Sequence, residues 1–499
     1  MSATVPDHLP PHIGNLTNTF ASLPETFYAR LPPTPVRAPE LLRLNEPLAA
    51  QIGLTLDDLA QETLLAVFAG NLVPAGAEPV AMAYAGHQFG NFVPRLGDGR
   101  AILLAEIVGG DGIRRDLHLK GSGRTPFSRG GDGRAALGPV LREYIVSEAM
   151  HALGIPATRA LAAVATGERI VREGSVPGAI VTRVARSHVR IGTFEFHAAR
   201  GDADAVRRLA DYVIGRHYPD LRDAANPYLA LIATVAARQA ALIAAWMRVG
   251  FIHGVMNTDN MSIAGETIDF GPCAFMDAWD PATVYSAIDR RGRYAYGNQP
   301  LIGQWNLARF AETLLPLIGD DAERAAGEAT NVLVAFMDDY ERLRLRDLRA
   351  KLGLGQALDG DAALAQTLLD MMQAQSVDHT LLFWRLADAV RGDANGARSL
   401  FQAPGAFDAW ALAWRERLAR DSGVGTEVIA RMRAASPAII PRNHLVERAL
   451  RAAIDAGDLA PFHALVEALA QPYAPEAAAG PYATPPRPEE RVLQTFCGT

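Results

Sequence analysis

The stretch from Phe251 to Gly271, FIHGVMNTDNMSIAGETIDFG, constrains most strongly what this chain can fold into. It predicts a loop, a short strand and a turn that together carry a carboxylate, an amide and a second carboxylate, namely Asp259, Asn260 and Asp269. Short acidic and amide side chains favour turn backbone, and Glu266-Thr267-Ile268 just before Asp269 leans toward strand. Oxygen ligands of this kind suit Mg²⁺ or Mn²⁺ on the phosphates of a nucleotide.

The spacing resembles the catalytic loop and Asp-Phe-Gly turn of protein kinases, in which a His-Arg-Asp loop ends in a metal-binding Asn and the Asp of the turn follows on the next strand. Here His253 opens the loop, Asn260 closes it seven positions later, and Asp269-Phe270-Gly271 follows. One position departs from a kinase. Val255 stands where a kinase keeps its catalytic Asp, and an apolar side chain can neither accept a proton nor orient a hydroxyl. The nearest carboxylate is Asp259. Either the fold has lost its chemistry, or it runs a different reaction on the same nucleotide.

The remaining composition narrows the class. At 499 residues the chain has room for two or three domains, or for one two-lobed catalytic unit with extensions. Hydrophobic residues at 49% and charged residues at 21% describe an ordinary globular protein. A net charge of -7 without a long basic run gives no footprint for nucleic acid. The most apolar segment, Leu229 to Phe251, is interrupted by Arg238, Gln239 and Arg248, which predicts a buried helix rather than a membrane span. The N-terminus lacks the basic start and apolar core of a signal peptide, so the expected compartment is the cytoplasm. The two cysteines, Cys273 and Cys497, exclude a disulfide framework; a redox-sensitive tie between tail and active site is the functional reading of the pair, two unrelated thiols the plain one.

Taken in order, the proline-rich first 40 residues predict an extended surface arm, with short helices from Pro39 to Phe68. Gly97-Asp98-Gly99-Arg100 is a tight turn into an apolar strand, Ala101 to Val108; a glycine turn and a second strand, Arg115 to Lys120, complete a hairpin. Lys120 ends its strand where a kinase keeps its phosphate-binding lysine. After Gly131-Asp132-Gly133, a helix from about Ala135 to Leu153 presents Glu143 and Glu148 as partners for that lysine; Glu143 is preferred. Residues 156 to 196 read as short strands, with Arg183 in the last and Arg190 seven residues on. Helices are expected near 202 to 216 and 227 to 250, then an activation-segment equivalent over 272 to 300, then mostly helix to about Leu469 and a proline-rich surface tail. The expected units are an extension (1–75), an N-lobe (76–200), a helical C-lobe (201–400) and a C-terminal extension (401–499).

With these pieces in register, the chain resembles the selenoprotein O family over nearly its whole length. The most specific segments are YAGHQFGNFVPRLGDGR (84–100), LKGSGRTPFSRGGDGRA (119–135), HGVMNTDNMSI (253–263) and IDFGPCAF (268–275). The resemblance implies an α+β, bilobal protein-kinase-like fold and a protein adenylyltransferase that moves AMP from ATP to Ser, Thr or Tyr hydroxyls of target proteins, with UMP from UTP as a second donor chemistry. It implies Asp259 as proton acceptor, Asn260 and Asp269 as ligands of Mg²⁺ or Mn²⁺, and nucleotide contacts at Gly97, Gly99, Arg100, Lys120, Asp132, Gly133, Arg183, Arg190 and Asp269. It also implies an ATP reversed relative to a kinase, with the α-phosphate at the acceptor hydroxyl, which accounts for Val255. Relatives with selenocysteine near the C-terminus match Cys497 here. Target proteins and ATP are the expected partners of a monomer, without nucleic acid or membrane. A kinase that transfers the γ-phosphate and an inactive nucleotide-binding scaffold are the rival readings.

Overall fold

The structure, a computed structural model, describes residues 10–55, 60–421 and 425–496. Its organising element is the hairpin announced by the glycine turns: Ala101–Val108 pairs antiparallel with Arg114–Lys120. Side chains alternate across a strand. Leu117 and Leu119 enter an apolar core with Leu104, Ile107 and Val164, while Asp116, His118 and Lys120 share the opposite face and are buried too.

Around this hairpin the described residues form a nine-stranded antiparallel sheet. Its order is Tyr28–Arg30, Val80–Met82, Ala101–Val108, Arg114–Lys120, Ser175–Ala185, Arg159–Val171 and Glu40–Leu44. Leu16–Thr17 adds to Ala101–Val108, and Ala135–Ala136 to Ser175–Ala185. The N-terminal arm is thus woven into the sheet rather than laid over it. Glu40–Leu44, expected as helix, is a strand on Arg159–Val171, and the helices Glu46–Gln51 and Gln61–Phe68 follow it. Ile191–Ala198, read with the strands, is a helix.

Leu137–Ala152 is buried on nearly every side. One side meets the sheet at Ala160, Ala163 and Val181, and the other meets the C-terminal helices Asn443–Ala456 and Ala460–Leu469 through Leu445, Ala449 and Phe462. Arg142 and Glu143 are therefore enclosed, and a buried carboxylate requires a partner.

The second half is helical. Pro227–Val249 starts on Asn226, whose side chain accepts the Leu229 N–H, and stops at Gly250. It packs on Gln299–Ile318 and Ala322–Lys351 around Leu231, Ile243, Trp246, Phe310 and Phe336. It is long and apolar enough to cross a membrane, and 56% of its most apolar stretch is buried inside the protein. A separate core, built on Leu368, Phe383, Trp410 and Trp414, holds the helices between residues 352 and 432. The tail returns to the segment after the Asp-Phe-Gly turn: the Thr495 N–H donates to Tyr285 O and the Thr495 hydroxyl to Pro272 O. Cys273 is buried; its suggested partner Cys497 lies outside the described residues.

Candidate active site

The long helix delivers its chain directly into the loop at Phe251, and a set of buried hydrogen bonds fixes that loop against the turn. Gln299 donates to Phe251 O and accepts the His253 N–H, both at 3.0 Å. Burial lowers the His253 pKa, and the neutral ring donates from Nε2 to Ile268 O at 2.9 Å. Trp246 Nε1 donates to Thr267 Oγ1 at 2.9 Å. The expected strand before Asp269 is thereby reduced to isolated bridges from Thr267 to Ala157 and Met261. Asp269 itself adopts φ +63°, a left-handed conformation that Asp tolerates better than most residues and that costs of order 1 kcal/mol.

That conformation sets the Asp269 carboxylate at the floor of a cleft of about 680 Å³ between the sheet and the helices. Lys120 Nζ lies 2.6 Å from Asp269 Oδ1 and 2.7 Å from Glu143 Oε2. Glu148, the alternative partner, instead binds Arg159 and Asn45 on the far side of its helix. Arg183 Nη1 lies 3.4 Å from Glu143 and 3.6 Å from Asp269, and Arg190 Nη1 lies 4.0 Å from Asp269 Oδ2. Desolvation alone would raise the Asp269 carboxyl, but Lys120, Arg183 and Arg190 hold it well below the usual carboxylate range.

On the other wall, Asp259 and Asn260 occupy a single 3₁₀ turn, Thr258–Asn260. The Asn260 amide donates to Val255 O at 3.0 Å, which turns its side chain beside the vacant base position. Val255 and Asn260 line the same cleft. Asp259 is 7% exposed, and burial pushes its carboxyl up to about 6 against the pull of Arg190. Among the described residues its Oδ1 has no hydrogen-bond partner, while Oδ2 accepts a long contact from Gln88 at 3.4 Å. Gly86 presses on this carboxylate so closely that a Cβ there would stand 2.3 Å from Oδ1.

Gly97, Gly99, Arg100, Asp132 and Gly133 also line the cleft, at its sheet side. Gly97 has φ +79°, and a Cβ on it would meet the Phe127 ring at 2.3 Å, so only glycine permits this turn. Asp132 is paired with Arg172, 2.8 Å away. The structure thus brings the sequence-derived metal, nucleotide and acid–base residues to one cavity, with Glu143 reaching it only through Lys120.

Four further residues join them without having been singled out. Tyr84 lies under Arg190, with the guanidinium 4.3 Å from the ring centre, and Gln88 reaches Asp259. Asp98 and His118 stand behind the arginines, with His118 Nε2 3.1 Å from Asp98 Oδ2. A signal for His118 existed: Asp116, His118 and Lys120 alternate with two leucines, so they share one face of the strand whose end carries the lysine.

A lysine–glutamate pair from strand and helix, an Asp-Phe-Gly turn and a carboxylate–amide loop around one cleft define a nucleotide-dependent transferase. Residues 13–470 match the family described as protein adenylyltransferase SelO. Curated proteins named protein nucleotidyltransferase YdiU are similar over almost the full length. Those from Rhizobium etli and Bradyrhizobium diazoefficiens are 58% identical over 484 residues, 97% of this chain and 97% and 98% of theirs. That from Rhizobium leguminosarum bv. trifolii is 59% identical over 485 residues, 97% of both chains. The chain belongs to the SelO family and is a nucleotidyltransferase.

Proposed function

We propose that the protein transfers AMP from ATP to a Ser, Thr or Tyr hydroxyl of a target protein and releases pyrophosphate. The observation that carries the reading is the pairing of Val255 at the kinase base position with a buried, under-bonded Asp259 across from two buried arginines. We read the sheet half and the helical half as the two lobes of a protein-kinase-like fold, in which these groups face each other.

The donor set fits a divalent metal. Around Asp269, the buried cations Lys120, Arg183 and Arg190 are already matched by Asp98, Glu143 and Asp269, so these three alone do not offset a polyphosphate. Asp269 and the Asn260 carbonyl supply the hard oxygens that Mg²⁺ or Mn²⁺ takes alongside phosphate oxygens. The bound ion would neutralise charge on the phosphates as they separate.

The chain's own groups do the rest. Arg183 Nε and Arg190 Nη2 are buried N–H donors without a hydrogen-bond partner among the described residues, and we assign these two guanidiniums to phosphate oxygens. Lys120, held by Glu143, adds a third cation. Asp259 accepts the acceptor's hydroxyl proton as that oxygen bonds to the α-phosphorus. The bond from the α-phosphorus to the bridging oxygen breaks, and pyrophosphate leaves toward the arginines. Positioning and charge stabilisation account for most of such a rate enhancement.

A monomeric, cytoplasmic enzyme working on protein surfaces, apart from membranes and nucleic acid, is the setting we infer. The test is a pair of variants. Asp269→Ala is expected to abolish activity through lost metal and nucleotide binding, and Asp259→Ala to lower turnover with nucleotide binding kept. Equal loss of binding in both would contradict the assigned roles.

A further inference from the structure

We propose that His118 and Asp98 are positioning residues that aim Arg183 and Arg190 at the nucleotide's polyphosphate; the proposal rests on the phosphate reading of those arginines. Strand register creates the first contact. His118 and Arg183 are directly paired across Arg114–Lys120 and Ser175–Ala185, so their side chains leave the sheet on the same face. Arg183 Nη2 lies 3.0 Å from His118 Nδ1, and His118 Nε2 lies 3.1 Å from Asp98 Oδ2.

A guanidinium can only donate and a carboxylate can only accept. This assigns the ring uniquely: Nε2 carries the proton given to Asp98, and Nδ1 offers its lone pair to Arg183. A doubly protonated ring would lose the arginine, and burial together with Arg183 lowers the His118 pKa against the pull of Asp98. The ring is fully buried and stacks on His188 with centroids 4.2 Å apart, which removes its rotational freedom.

Asp98 connects both arginines. Its Oδ2 accepts from Met82 N–H and His118, while Oδ1 faces Arg190 Nη2 at 3.9 Å. Burial would raise this carboxyl, but His118 and Arg190 hold it lowered. Asp98 sits between Gly97 and Gly99, so one tripeptide presents backbone to the cleft and a carboxylate to the layer behind it. Arg190 is fixed from other sides by the Tyr84 face, by its Nε bond to His188 O at 3.2 Å and by its Nη1 bond to Asp259 O at 3.1 Å. With those directions occupied, Arg183 Nε has no hydrogen-bond partner among the described residues, and Arg190 Nη2 has only its 3.9 Å ion-pair contact with Asp98. Removing the acceptors behind them would let the guanidiniums swing back onto Asp269 and Glu143, both within 4.0 Å.

The experiment measures competition by inorganic tripolyphosphate and by adenosine against a fluorescent ATP analogue, with Mg²⁺, on folded full-length variants checked by thermal unfolding. His118→Phe keeps the ring stack and removes both hydrogen bonds. It is expected to weaken tripolyphosphate by about tenfold or more, the scale of one lost charged hydrogen bond, and to leave adenosine unchanged. His118→Gln, which can again donate and accept, recovers most of the loss. Asp98→Asn, close in shape, gives the same selective loss and serves if His118→Phe does not fold. Unchanged tripolyphosphate competition in these variants, while Arg183→Ala weakens it, would overturn the positioning role. If Arg183→Ala also leaves it unchanged, the phosphate reading of the cleft fails instead. Equal weakening of both ligands would reduce His118 to a structural residue and overturn the proposal.

Discussion

Replacing Glu143 by Gln isolates one charge at the centre of the cleft. Glu143 accepts from Lys120 at 2.7 Å and from Arg183 at 3.4 Å, and its side chain is only 4% exposed. The shorter contact dominates, because the second is near the limit of a hydrogen bond. A charged hydrogen bond contributes about 1.5–3 kcal/mol, and Gln keeps the shape and a neutral acceptor, so the loss falls at the lower end, near 2 kcal/mol. If Glu143 acts by holding Lys120 toward the phosphates, that loss appears in the transition state as a drop of roughly 30-fold in kcat/KM for ATP. The assay is the initial rate of AMP incorporation into an acceptor protein at varied ATP, for Glu143→Gln, Lys120→Met and the double variant. The double variant should be no slower than Lys120→Met alone, a coupling energy close to the whole Glu143 effect. A double variant whose rate falls by the product of the two single effects would refute the reasoning, since Glu143 would then act independently of the lysine.

Gly86→Ala would drive a methyl group into Asp259 Oδ1, and should lower kcat by an order of magnitude or more while leaving ATP affinity within about twofold; matched losses in rate and affinity would show that the short strand Gly86–Gln88, not the carboxylate, had been displaced. Glu266 concerns stability instead: it accepts the Arg186 N–H at 2.9 Å, and burial raises its carboxyl from 4.5 to about 7. Because the folded state holds this proton more tightly, the stabilisation is full below pH 4.5 and is lost as pH rises toward 7. Glu266 is partly exposed, so the swing is discounted to about 2 kcal/mol. Denaturant unfolding of wild type and Glu266→Gln at pH 5 and pH 8 should show the variant gaining on wild type at the higher pH; parallel profiles would contradict the assignment.

Much of the cleft was legible because its signals are local. His253, Asn260 and Asp269 fall within one loop and turn, and Lys120 and Glu143 follow from a glycine-bounded hairpin and the helix after it. Non-local pairing was less legible. Glu40–Leu44 carries three leucines that suit a helix, and only Ala162–Ala165, more than a hundred residues away, makes it an edge strand. Ile191–Ala198 is rich in strand-forming residues, yet its packing on Gln299–Ile318 makes it helical. Asp98 and His118 illustrate a third limit: alternation places them on a face, but only the assembled register reveals that this face is buried against two arginines.

Adenylyl transfer is tested most directly by incubating the protein, Mg²⁺ and an acceptor protein with ATP labelled either at the α- or at the γ-phosphate, then measuring label and intact mass on the acceptor. The account predicts retained α-label, absent γ-label and a mass gain of one AMP. Label arriving only from the γ-position would establish a kinase despite Val255 and contradict the central claim.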